Sequence, residues 1–239
     1  MIPRTIHYCW FGRGEMPEQA KQCIASWHKF MPDWEYKLWN EDNFDVEVNA
    51  YAKEAYEARK FAFVSDYVRL WALEREGGLY LDTDVEVFKS FEDLLELKAF
   101  AGFEGSKHLP VGTCVMASEA HGEWVVEQLE AYRDRHFLTP DGTFDMTTNV
   151  QFITAKMSKN GFAQNGVGQD YKDLYVFPVE YFSPRHTTGE YLRTENTYSD
   201  PLGMGTWDDK DQGWKAKVAR LVGPQNAARL IKLKRRLFG

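Results

Sequence analysis

A chain of 239 residues with 44% apolar and 15% aromatic content is long enough to bury one sizeable core and needs no second domain. Its formal net charge of −7 gives a body that repels polyanions, and no stretch approaches the roughly 18 uninterrupted apolar residues of a membrane span. The three cysteines, Cys9, Cys23 and Cys114, lack the CxxC or Cys/His spacing of a zinc site and are an odd number for a disulfide framework, so a reducing cytoplasm is expected and no exported or membrane-spanning segment is.

Taken in chain order, "RTIHYCWFG" reads as a buried strand ending at Gly12, and "MPEQAKQCIASWHKFMPDW" as a helix opening at Pro17 and stopped by Pro32. "WEYKLWNE" alternates as a second strand, and residues 48–59 and then 60–76 read as helical up to the Gly77-Gly78 stop. A third strand is expected over residues 77–87. Beyond it "AFAGFEG" and "TCVMAS" look like strands, residues 121–137 and "VQFITAKMSKNG" like helices, and "LYVFPVEYF" like one more strand. This rhythm predicts an α/β fold in a single domain, a mixed and mostly parallel sheet flanked by helices, over residues 1–214. In such sheets ligands bind beyond the carboxyl ends of the strands, which here are Gly12 and the stretch Asp82 to Asp84.

That stretch, "GGLYLDTDVEV", sets an apolar strand against a row of acids. If the strand runs unbroken, Leu79, Leu81, Thr83 and Val85 share one face and Tyr80, Asp82, Asp84 and Glu86 the other. Such a row fits a solvated acidic face, and it equally fits a divalent-metal site, because Mg²⁺ and Mn²⁺ take oxygen ligands. The preceding helix sharpens the choice. In "KFAFVSDYVRLWALERE" apolar residues lie nearly all round, so the helix is expected to be buried, yet Ser65, Asp66 and Arg69 form one polar stripe across it. A buried charge must be paired or used, and a polar pocket shared with the Asp82 and Asp84 carboxylates accounts for both features.

The charge is uneven. Residues 215–239 carry eight basic and no acidic side chains, so the −7 of the whole chain is −15 over residues 1–214 and +8 in the tail. "AARLIKLKRRLFG" interleaves Leu230, Ile231, Leu233 and Leu237 with the cations, the pattern of a basic amphipathic helix able to lie on an anionic bilayer. A surface helix packed on the body also fits the pattern, and nucleic acid would also satisfy a basic tail; the membrane surface is the expectation carried forward, with no nucleic-acid partner.

Four ordered blocks, "IPRTIHYCWFG", "SWHKFMPDWEYKLWNEDNFD", "KFAFVSDYVRLWALEREGGLYLDTDVEVF" and "GFEG", resemble glycosyltransferase family 32, the DXD sugar transferases of capsule and lipopolysaccharide synthesis, over residues 2–104. They are more distantly similar to the catalytic domain of the clostridial glucosylating toxins. The resemblance implies a GT-A fold and a nucleotide-diphosphate sugar donor, a UDP-sugar ahead of a GDP-sugar. It implies Mn²⁺ or Mg²⁺, a glycan or lipid-linked saccharide acceptor, and retention of the anomeric configuration by front-face substitution. Carried over by position, Trp10 stacks on the nucleotide base, Ser65 lines the donor site, and Asp66 and Arg69 hold the sugar hydroxyls and orient the diphosphate. Asp82 contacts ribose and donor sugar and belongs to the metal site, and Asp84 binds the metal directly. Thr206 and Trp207 correspond to a Ser-Trp on a loop that closes over the diphosphate. Asn149 and Gln151 are expected as acceptor-side or sugar contacts, or as the polar face of an ordinary helix. A cytoplasmic enzyme, peripheral on the inner membrane face, is the place the resemblance implies.

One departure stands out. Where the family commonly has a His-His pair before that Ser-Trp, this chain has Pro201 and Leu202. Asp200, Asp208 or Asp209 then replaces the imidazole, or the metal keeps more water, or the chain is a weak or inactive nucleotide-sugar or glycan binder. A phosphohydrolase with a strand-ending Asp-x-Asp is a further reading, but that pattern wants Thr where Glu86 stands.

Overall fold

The computed structural model describes residues 1–105, 109–184 and 191–203, and Met1–Gly203 form one compact unit. The expected boundary at residue 214 and the basic tail lie outside the described residues, as do Thr206, Trp207, Asp208 and Asp209.

The first half follows the sequence closely. Strand β1 (Thr5–Cys9) leads to helix α1 (Glu18–Phe30) and strand β2 (Glu35–Trp39). Pro17 stands at the N-cap of α1, where its missing N–H costs nothing, and the helix buries Ala20, Cys23 and Trp27 along one stripe. Helix α2 (Ala50–Glu57) is capped by the Asn49 side chain, and helix α3 (Phe61–Glu76) is buried on almost every side, as its composition requires. Gly77 ends α3 with φ 66°, where a Cβ would lie 2.7 Å from the Ala120 amide nitrogen. Strands β3 (Gly78–Leu81), β4 (Val85–Val87), β5 (Ala99–Phe103) and β6 (Val111–Ser118) follow. After them come helices α4 (Glu123–Glu130) and α5 (Asn149–Lys159), strands β7 (Gln169–Tyr171) and β8 (Leu174–Phe177), helix α6 (Val179–Phe182) and strand β9 (Ser199–Pro201).

Seven strands form one mixed sheet in the order β2-β1-β3-β6-β5-β8-β7. Pairings of β1 with β2 and β3, and of β5 with β8, are parallel, while β6 and β7 run against the others. The sheet therefore is mostly parallel, and the carboxyl ends of β1, β3 and β5 share one edge. Strand alternation sorts the core into two layers. Tyr80, Ala101, Phe103 and Met116 join the cluster under α2, α3, α4 and α5; Leu79, Leu81, Phe100, Val115 and Ala117 join the one under α1 and α6.

Three expectations need correction. The strand expected over residues 77–87 is two strands in two sheets: β3 ends at Leu81, the Val85 N–H turns back to donate to the Asp82 carbonyl at 3.0 Å, and β4 pairs antiparallel with the distant β9. Asp82 and Asp84 thus flank a turn and do not share a pleated face. The "LYVFPVEYF" strand stops at Phe177 because Pro178 opens α6. The helix expected over residues 121–137 closes at Glu130.

Candidate active site

The site is built where α3 crosses the carboxyl edge of the sheet. Arg69 is 5% exposed, and its guanidinium lies 3.0 Å from the Asp66 carboxylate, one helical turn earlier, and 3.2 Å from Asp82 at the end of β3. Its Nη1 donates to the Thr113 carbonyl at 2.7 Å and its Nε to the Ser65 carbonyl at 3.2 Å, while its carbon sits 4.6 Å from the centre of the Tyr80 ring. Tyr80 in turn donates to the same Asp82 carboxylate, its hydroxyl 2.8 Å from Oδ1. Asp66 and Arg69 pair at i,i+3 spacing and the pair extends to Asp82, so of the two carboxylates of the turn it is Asp82 that is brought into contact with the helix.

The Thr113 carbonyl reaches Arg69 because β6 is irregular there. Ala101 of β5 faces Met116 but Phe103 faces Val111, so residues 112–115 lie opposite Gly102 alone. Such a bulge re-aims backbone groups beside a site. On its other side β6 stays in register with β3, and the Asp82 N–H continues that ladder by donating to the Cys114 carbonyl at 2.9 Å, which holds the turn to the sheet.

Burial sets the ionisation. It pushes the Asp66 carboxyl up to about 6, against the pull of Arg69 and with Asp82 adding to the rise. Burial works against the Arg69 charge as well, but Asp82, Tyr80 and Asp66 hold it well above the ordinary value. Glu104, just past β5, is pushed up to about 7 by burial and then by Asp82, Arg69 acting in the opposite direction. The Cys114 thiol is raised by burial and further by the negative charge of Glu104, Asp82 and Asp84.

Trp10 leaves β1 at the same edge, half-buried, with its indole N–H donating to the Gly14 carbonyl at 2.7 Å. The loop is fixed from two sides. The Gly12 N–H donates to Glu41 at 2.6 Å, and a Cβ on Gly12 would lie 2.4 Å from the Phe61 ring that opens α3. Ser65 is held in its helix, its hydroxyl donating to the Phe61 carbonyl at 3.2 Å. Of the two residues expected on the acceptor side, Gln151 is exposed and completes a capping box with Thr148 at the start of α5. Asn149 is 1% exposed; it accepts from the Tyr132 hydroxyl at 3.0 Å and donates to the Asp66 carbonyl at 3.3 Å, and so locks α5 onto α3 behind the site. Glu41, Tyr80, Glu104 and the Thr113 carbonyl are site elements that the sequence patterns did not single out. Glu41, Tyr80 and Glu104 lay within the quoted blocks, Glu104 in "GFEG" at the end of an expected strand, but none was given a role there.

The donor set fits a hard divalent cation only in part. No group of three His, Cys, Asp or Glu side chains able to hold an ion occurs among the described residues. Asp82 is engaged by Arg69 and Tyr80, and Asp84 stands half-buried on the turn, where its carboxylate would serve as a direct ligand. Mg²⁺ and Mn²⁺ bound through one or two carboxylates, with water and phosphate oxygens completing the shell, match that set. Pro201 and Leu202 stand beside it: Val85 faces Pro201, and the Leu202 N–H donates to the Asp84 carbonyl at 2.9 Å. Neither side chain is a metal ligand. Asp200 is fully buried in β9 opposite Glu86.

Residues 17–101 match the family described as the glycosyltransferase sugar-binding region containing DXD motif. Over that stretch the chain is similar to the DXD glycosyltransferases. It is 23% identical over 179 residues to the subversion of eukaryotic traffic protein A of Legionella pneumophila, covering 61% of this chain and 27% of that one. It is 24% identical over 160 residues to the mannosyl phosphorylinositol ceramide synthase of Saccharomyces cerevisiae, covering 64% and 41%. The chain thus spans well under half the length of these curated relatives. Among solved structures, the PaToxG glycosyltransferase aligns with a TM-score of 0.49 at 16% identity, over 67% of this chain and 70% of that one.

Proposed function

We propose that this chain is a divalent-metal-dependent glycosyltransferase that moves a hexose from a nucleoside-diphosphate sugar to a glycan or glycolipid acceptor, with the anomeric configuration retained. The observation that supports this most is the Arg69 guanidinium, held between Asp66 and Asp82 directly behind the turn that carries Asp84. Cleavage of the sugar to phosphate bond builds negative charge on the departing diphosphate, and a fixed cationic group aimed at that charge from a water-poor site lowers the barrier. Arg69 supplies such a group, pre-oriented by four partners; a cation at Asp84 would add Lewis-acid stabilisation of the same oxygens. Asp66 and Asp82 retain acceptor capacity for sugar and ribose hydroxyls.

Incubation of the full chain with UDP- and GDP-sugars and Mn²⁺, read as nucleotide release and as the anomeric configuration of the product by NMR, tests the reading. Turnover that Asp84→Ala abolishes is expected; absence of turnover with every donor, or turnover indifferent to that substitution, would overturn it. Relatives named as mannosyl and mannosyltransferase enzymes put a nucleoside-diphosphate mannose in the panel beside the UDP-sugars.

Action at the inner face of the cytoplasmic membrane, with residues 215–239 on an anionic surface, belongs to the same reading. No helix among the described residues is long and apolar enough to cross a membrane. Co-sedimentation of the full chain with phosphatidylserine vesicles, lost when Lys232, Lys234, Arg235 and Arg236 are all changed to Gln, is the expected result; equal binding by both would remove the membrane role.

A further inference from the structure

Glu104 is the acidic group of this edge that the site as described leaves without a task. It follows β5, two strands from β3, so its backbone is roughly 10 Å from that of Asp82 across the sheet. Its backbone is pinned, the N–H donating to the Pro110 carbonyl at 2.9 Å. Its side chain rests on Gly112 in the bulge of β6, where a Cβ would lie 2.9 Å from Glu104 Oε2. Gly112 thereby leaves the space that the carboxylate occupies. Arg69 is taken up by Asp66, Asp82 and two carbonyls, and no hydrogen-bond donor to the Glu104 carboxylate is found among the described residues. A carboxylate in this state is costly to the fold, and it persists where a ligand supplies the donor.

The chemistry of that ligand can be narrowed. A phosphate would be repelled by the Glu104 carboxylate, which has no donor to offer it. A shared metal ion is disfavoured because no cluster of three acidic, His or Cys side chains converges among the described residues. A neutral group rich in O–H donors remains. We propose that Glu104 is a sugar-recognition residue of this site, its carboxylate accepting a hydrogen bond from a pyranose hydroxyl, either of the transferred hexose or of the acceptor saccharide. The proposal rests on the glycosyltransferase reading above and adds a specificity-determining contact to it.

The test uses the full chain with Mn²⁺ and compares wild type, Glu104→Gln and Gly112→Ala. Gln keeps the shape and removes the charge; Ala at 112 keeps Glu104 and pushes its carboxylate aside. Thermal unfolding first checks that both variants are folded. Calorimetry then measures UDP and GDP alone, followed by UDP-glucose, UDP-galactose and GDP-mannose. If the contact is to the transferred hexose, both variants bind the bare nucleotide like wild type and bind the nucleotide sugar roughly 10- to 100-fold more weakly, the range for a hydrogen bond to a charged group. If it is to the acceptor, nucleotide-sugar affinity and hydrolysis stay unchanged, and kcat/KM for transfer to methyl glycosides of glucose, galactose and mannose falls by that factor. Variants that match wild type in both arms, or that lose bare nucleotide as much as nucleotide sugar, overturn the assignment of Glu104 while the wider reading stands. Failure of wild type to bind either nucleotide refutes the wider reading and the assignment with it.

Discussion

Arg69→Met separates the structural from the chemical role of the guanidinium. Methionine keeps the apolar stem and some packing against Tyr80, so the loss is confined to the polar head. Five contacts disappear: Asp66 at 3.0 Å, Asp82 at 3.2 and 3.4 Å, the Thr113 carbonyl at 2.7 Å and the Ser65 carbonyl at 3.2 Å. The Asp82 side chain is 31% exposed and can turn to water, whereas Asp66 at 12% cannot. The cost is therefore concentrated in Asp66 and the Thr113 carbonyl, and about 3–5 kcal/mol is the magnitude for a buried pair that loses one partner. For a body of this size that is a fall in Tm of roughly 10 °C. The deficit depends on pH. With Arg69 in place the Asp66 carboxyl already stands at about 6, above its ordinary value, and without that cation it moves higher. A carboxyl raised in the folded state adds its stability below the unfolded value and loses it as pH rises through the folded value. The Tm difference between wild type and Arg69→Met should thus be small at pH 5 and full at pH 8, and adding Asp66→Asn should recover much of it. An equal difference at both pH values would mean that Asp66 is not the seat of the cost.

Gly12→Ala forces φ +97° on a residue with a Cβ that lies 2.4 Å from the Phe61 ring; a loss of about 2–4 kcal/mol in urea unfolding is expected from strain and overpacking together, and a neutral result would show that the loop yields. Asn149→Ala leaves the Tyr132 hydroxyl and the Asp66 carbonyl without their partner, for a cost of about 1–3 kcal/mol and a drop in kcat with KM little changed; unaltered kcat would show that Asp66 is positioned without it. Glu104 and Asp66 are both raised, to about 7 and about 6, so their contributions are present below pH 4 to 5 and are lost as pH rises through those values. His7 opposes them, because burial lowers its pKa and its contribution is lost as pH falls below the ordinary imidazole value. Glu104→Gln isolates one term: the variant should gain stability over wild type between pH 6 and pH 8 in thermal unfolding, and a constant difference would remove Glu104 as its source.

The buried site was legible where a single helix betrayed it. In α3 the apolar residues run all the way round, so Asp66 and Arg69 could not be surface charges, and the i,i+3 spacing put them on one stripe. The turn at Asp82 was not legible for an equally local reason. A two-residue alternation, with Tyr80, Asp82, Asp84 and Glu86 in one row, continues from Leu79 to Val87, yet the backbone leaves one sheet at Leu81 and enters another at Val85, because the partner of β4 is β9, over a hundred residues away. Periodicity reports which side chains could share a face and is silent on whether the ladder continues. At "LYVFPVEYF" the signal was present in Pro178, which cannot donate to a ladder, but the apolar residues on both sides masked it. Glu41 and Glu104 carry no local mark, since what distinguishes them is the Gly12 amide and the Gly112 cradle, both brought near by tertiary folding.

The bulge in β6 links these observations. A regular β6 would spend the Thr113 carbonyl on its neighbour; the irregular one leaves it for Arg69 and leaves Gly112 beneath Glu104, while the Cys114 carbonyl keeps the β3 register and accepts from the Asp82 amide. One backbone irregularity thus sets the cation and the third carboxylate on the same strand that ties down the start of the DXD turn. The β4–β9 ribbon then ties the far side of the turn through the Leu202 N–H and the Asp84 carbonyl. Positions 201 and 202 therefore have their place beside Asp84 set by main-chain hydrogen bonds that do not depend on their side chains. A histidine placed at either position would be carried beside Asp84 by the backbone that this chain already has, which makes the difference from the expected His-His pair one of side-chain chemistry.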